Sequence, residues 1–150
     1  MWLDAILAYL HYAAILVLFS FLTVQAVLIR RTLDAGTIRL LARTDQWFGG
    51  ASVAVLATGF LRAIYGAKGA DFYFNAWPVY VKIGLFFAVG ILSIKPTLTY
   101  IRWRRALDHD SAWQVPADEQ RGTRRLIMIE VHLAALIPVF AVIMARGLGT

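Results

Sequence analysis

Ala5 to Ile29, AILAYLHYAAILVLFSFLTVQAVLI, decides the architecture. No residue in this stretch carries a formal charge. At a rise of about 1.5 Å per residue it is long enough, as a helix, to cross the ~30 Å hydrocarbon layer of a membrane. With its flanks it reads as a first span at about 2–29.

Three further stretches read the same way. The second span, at about 44–64, is uncharged from Gln46 to Leu61. The third, at about 77–101, is interrupted by Lys82 and Lys95. The fourth, at about 124–146, is apolar from Leu126 to Ala145 except for Glu130 and His132. These runs are too long and too apolar for transmembrane strands, and helices satisfy their own backbone groups in hydrocarbon. The expectation is all-α: one four-helix transmembrane bundle over residues 1–150, antiparallel and up-down.

Composition agrees. The chain is 60% hydrophobic and 16% charged, against ~45–50% and ~25% for a soluble domain. The absence of cysteine excludes disulfides, thiolate metal sites and covalently attached haem. The net charge of +6 comes from arginines in the connectors, so a lipid bilayer is the expected partner and nucleic acid is not. Val24-Gln25-Ala26 loosely resembles a leader-cleavage site, but the apolar run is too long and Arg30-Arg31 follow it, so the first segment reads as a retained span.

Lysine and arginine flanking the spans set orientation. Arg30, Arg31, Arg39, Arg43, Lys95, Arg102, Arg104, Arg105, Arg121, Arg124 and Arg125 fall on one side; Arg62, Lys68, Lys82 and Arg146 fall on the other. The first side is expected to be cytoplasmic, which places both termini outside. Trp2, Trp47, Trp77, Tyr80, Tyr100 and Trp103 near span ends read as interfacial belts. Arg102 to Arg125 reads as the longest connector. Small residues at spacing four, Gly50, Ala54 and Thr58 on the second span and Gly84 and Ala88 on the third, predict a contact between those helices. Pro96 and Pro138 are candidates for kinks.

Ionisable residues at membrane depth are costly and usually face the bundle interior or water. Asp4, His11, Leu18 and Gln25 recur every seven residues and share one helical face. Glu130 and His132 stand about 200° apart on the fourth helix, so only one can face the centre. With His132 central, Glu130 faces a neighbour. Lys95 lies about 10 Å from Arg102 and Glu130 about 8 Å from Arg125 along their helices, so an intramembrane Lys95–Glu130 ion pair is expected. Arg62, Lys82, Lys68, Asp4 and Asp71 form a rim at the opposite end. That rim reads either as solvated charge or as an anion site for haem propionates, a quinone headgroup or phospholipid.

Three functions compete. One is haem b, with iron ligated by His11 and by His132 or another residue, and propionates held by Arg62 and Lys82. Helix rise sets the two histidines about 10 Å apart in depth, which opposes ligation by both. A second is a non-catalytic accessory, assembly or lipid-binding component, in a homo-oligomer or a larger membrane complex. A third is a proton or metal transporter stepping through His11, His132 and Glu130.

Tyr65-Gly66-Ala67-Lys68-Gly69, Leu92-Ser93-Ile94-Lys95-Pro96-Thr97 with Trp103, and Ile137-Pro138 followed by Met144-Ala145-Arg146-Gly147 resemble an uncharacterised bacterial family of predicted four-span inner-membrane proteins. Leu10-His11 and Glu130 fit the same family. The resemblance spans the chain and implies architecture and inner-membrane residence but no activity. More distantly, at single positions such as His11 and Lys82, the chain is similar to protoporphyrinogen-oxidase-like haem proteins and copper-resistance membrane proteins, which implies haem.

Overall fold

The computed structural model describes residues 2–66, 71 and 75–148. Four helices account for nearly all of them: α1 (Trp2–Leu28), α2 (Ala35–Tyr65), α3 (Trp77–His109) and α4 (Ala117–Ala145). Each is long and apolar enough to cross a membrane, and the described residues contain no strand. The helices pack in a ring, α1 on α2, α2 on α3, α3 on α4 and α4 back on α1, with α1–α2 the most extensive contact. Consecutive helices run antiparallel. One end of the bundle therefore carries the termini, and the other carries the two arginine-flanked turns.

Three helices run beyond the apolar stretches at the arginine-rich end, because a helix does not stop where hydrocarbon does. α2 starts at Asp34, whose carboxylate accepts the Thr37 amide at 2.7 Å. This bond satisfies an orphan donor of the first turn and holds the Asp34 carboxyl below its usual range. α3 continues to His109, and α4 opens with Asp118 and Glu119 in its first turn, where acidic groups suit the helix dipole. The expected long connector from Arg102 to Arg125 is thus mostly helix, and the turn proper is residues 110–116. Gln120 Nε2 donates to the Ile29 and Arg31 carbonyls, both at 3.0 Å, and so fastens α4 to the α1–α2 turn.

Two apolar clusters fill the ring. One, at the arginine-rich end, joins Ile29, Ile38, Leu41, Tyr100, Trp103 and Leu107; the other joins Leu18, Leu22, Phe48, Ala51, Val89 and Ala134. Tyr100 and Trp103 are fully buried, which corrects their assignment to an interfacial belt. Trp103 Nε1 donates to Glu119 Oε2 at 2.8 Å, so its one polar atom is satisfied inside the fold. Trp2, Trp47, Trp77 and Tyr80 are exposed, as a belt requires. The predicted small-residue contact between α2 and α3 does not form. Gly50, Ala54 and Gly84 face outward, and a Cβ added at either glycine would meet nothing within 4 Å.

Candidate functional site

His11 lies on the inward face of α1 with Leu7, Leu18, Leu22 and Gln25. Its Nδ1 is 2.9 Å from Thr58 Oγ1 on α2. The Thr58 hydroxyl has one hydrogen, and that hydrogen goes to the Ala54 carbonyl at 2.6 Å. With that hydrogen on Ala54, the Thr58 oxygen is free to accept from His11 Nδ1. The Val55 carbonyl, at 3.3 Å, is a second acceptor for the same hydroxyl. With Nδ1 donating, Nε2 is left with its lone pair. The ring lies against Gly59, where a Cβ would come within 3.1 Å of Cε1. Glycine is what lets the imidazole approach α2 so closely.

Two cations join it. The Arg62 guanidinium carbon stands 5.4 Å over the Tyr12 ring, and Arg62 Nε is buried without a hydrogen-bond partner. Lys82 Nζ, on α3, lies 3.5 Å from Met144 Sδ on α4. Arg62 and Lys82 are each within electrostatic range of the imidazole, and of one another. Among the described residues neither cation is in an ion pair. His11, Arg62 and Lys82 thus come together from three helices near the terminal end. Asp4 is close by, its Oδ1 3.3 Å from where a Cβ on Gly66 would sit. Asp71 is exposed, and Lys68 lies outside the described residues.

His132 does not join them. It is exposed on α4, with Nδ1 bonded to the Met128 carbonyl of its own helix at 2.6 Å. Glu130 takes the central position instead, at 1% exposure, because it shares a face with the buried Thr123, Ile127 and Ala134. The expected Lys95–Glu130 pair does not form. Lys95 is exposed on α3 and has no ion pair, while Glu130 Oε1 is buried without a partner. The losses of stability caused by Lys95→Met and Glu130→Gln are accordingly expected to add within about 0.5 kcal/mol, as for independent sites. Chemical unfolding of both single variants and the double variant in detergent checks this.

Glu130 belongs to a polar layer whose other members the sequence did not reveal as a set. Asp45 on α2 is 7% exposed and shares a cavity wall with Thr97. Tyr100 on α3 lies within electrostatic range of both carboxyl groups, which also act on one another. Gln25 on α1 is 1% exposed and sits between Leu22 and Ile29, hence between the two apolar clusters. Asp45 is likewise flanked by Leu41 of one cluster and Phe48 of the other. That spacing of buried positions is the signal that marks it, although it lies just outside the uncharged run.

The terminal-end group presents a nitrogen lone pair beside two cations, which suits an anionic ligand carrying a metal. Among the described residues no three His, Cys, Asp or Glu converge as a cradle for a bare ion. No curated protein and no solved structure matches the chain. A family model described as a predicted membrane protein, DUF2214, matches residues 3–149. The match covers nearly the whole sequence, and the chain belongs to the DUF2214 family of predicted membrane proteins.

Proposed function

We propose that this multi-pass protein binds haem b at the terminal end of the bundle, with His11 Nε2 as an axial ligand and with Arg62 and Lys82 against the propionates. The observation that carries the reading is the contact of His11 Nδ1 with Thr58 Oγ1 at 2.9 Å, which leaves Nε2 as the nitrogen for a ligand. Metal-ligating histidines donate their other ring N–H to a protein acceptor, and Thr58, with its own hydrogen directed to Ala54, is placed to be that acceptor. The unpartnered Arg62 Nε is a second point of fit, since a buried donor without an acceptor favours an anion. His132 is no opposite ligand within one copy. Bound haem would supply an iron centre for electron transfer or small-molecule chemistry. The basic asymmetry of the connectors supports, as part of the same reading, a cytoplasmic arginine-rich end in a bacterial inner membrane.

Haemin titration of the detergent-purified protein tests the reading. Arg62→Gln and Lys82→Met are each expected to weaken binding roughly 10–100-fold, from about 1.5–3 kcal/mol for a hydrogen bond to a charged group. Lys95→Met removes the same charge from an exposed site and is expected to leave affinity unchanged. Equal losses in all three variants would mean diffuse electrostatic attraction in place of a site.

A further inference from the structure

The polar layer lies in the other half of the bundle, apart from the His11 group. Each helix contributes one side chain to it: Gln25 from α1, Asp45 from α2, Tyr100 from α3 and Glu130 from α4. Apolar clusters close it above and below. Four of its polar atoms are buried with no partner: Gln25 Nε2 and Oε1, Tyr100 Oη and Glu130 Oε1. A buried polar group without a partner costs free energy, so four in one layer point to an occupant.

The chemistry of the unpartnered atoms narrows that occupant. A metal cation satisfies lone pairs only. The amide nitrogen of Gln25 is a donor and needs an acceptor, which a cation cannot provide. Water satisfies donors and acceptors alike. Charge narrows it further. Asp45 and Glu130 are two carboxyl groups within electrostatic range of each other, and no cation stands between them. Lys95 points outward. At the rim, Arg30 reaches Met128 Sδ at 3.1 Å, and Arg104 and Arg105 line a cavity of about 220 Å³ between α2 and α3. The wall of that cavity also includes Asp45, Thr97 and Tyr100, so it extends from the arginines to the Asp45–Tyr100 edge of the layer.

We propose that Gln25, Asp45, Tyr100 and Glu130 form a buried, water-holding proton site that fills from the arginine-rich end through the Asp45–Tyr100 cavity. One proton taken up from bulk solvent is held on the Glu130 carboxyl, and Asp45, beside the cavity, stays ionised. The layer then carries one negative charge in place of two. Bridging water between Glu130, Tyr100 and Gln25 pairs the four orphaned atoms. The site is separate from His11 and stands whether or not haem binds.

Infrared difference spectroscopy of the whole protein in lipid nanodiscs, between neutral and alkaline pH, tests this. The wild type is expected to show a protonated-carboxyl C=O band at neutral pH that shifts in D2O. Glu130→Gln is expected to lose the band. Tyr100→Phe and Asp45→Asn are expected to keep it at a shifted frequency. If Glu130→Gln does not fold, the Tyr100→Phe shift decides, since that change removes one oxygen and keeps the ring. A wild type without the band, a band unchanged in both Glu130→Gln and Tyr100→Phe, or a rise in Tm with added Ca2+ or Mn2+ that Glu130→Gln abolishes would overturn the proposal.

Discussion

Trp103→Ala is expected to lower the unfolding free energy in detergent by about 3–5 kcal/mol, the range for emptying a buried tryptophan site. Trp103 has no exposed surface and packs with Tyr100, ring centroids 5.8 Å apart, in the cluster that joins α1, α2 and α3 at the arginine-rich end. Its indole N–H also ends on Glu119, which pairs with Arg102 at 2.6 Å. The substitution therefore opens a void and removes one of the two bonds from α3 to Glu119 in the first turn of α4. Trp47→Ala provides the contrast. Trp47 is 60% exposed and stacks on Phe21 alone, and its loss is expected to cost about 1 kcal/mol, the scale of one aromatic pair. Chemical unfolding monitored by circular dichroism compares the two. Equal losses would mean that Trp103 is not a core residue.

His11→Ala is expected to abolish haem uptake, and Thr58→Val to weaken it roughly 10–100-fold, the usual cost of removing the group that orients a ligating histidine. Valine keeps the shape of threonine and leaves Nδ1 without its hydroxyl acceptor, so the ring loses that anchor. Gly59→Ala acts on the same ring sterically, since a new Cβ would sit 3.1 Å from Cε1. Haem titration followed by absorbance reads all three. Thr58→Val with wild-type affinity would separate the hydrogen bond from ligation.

The spans were legible because hydrocarbon imposes a length and a composition that few other environments demand. Facing was legible only where polar residues marked it. On α1, Asp4, His11, Leu18 and Gln25 gave an inward face, and Leu18 and Gln25 are indeed buried. On α4, Glu130 and His132 are both polar and on nearly opposite sides, and the apolar residues around them do not choose. Burial of Thr123, Ile127 and Ala134 chooses Glu130. Once Glu130 turned inward, the depth match with Lys95 lost its meaning, because Lys95 lies on the outer face of α3. Tyr100 and Trp103 looked interfacial because the apolar stretch ends beside them. α3 continues for two more turns, which makes their position a packed interior. Asp45 was passed over for the same reason, at the apparent end of a span inside a longer helix. At the terminal end the sequence set Arg62 and Lys82 on one rim and His11 on an inward face, and the structure brings the three within electrostatic range. The hydrogen-bond chain through Thr58 to Ala54 needed coordinates.

The absorbance spectrum of the protein purified from haem-replete cells, oxidised and then reduced, tests the central claim most directly. The account predicts a Soret band that shifts on reduction, persists in His132→Ala and is absent in His11→Ala. A wild-type protein with no Soret absorbance as purified and none after added haem, or a band that His132→Ala removes and His11→Ala keeps, would contradict it.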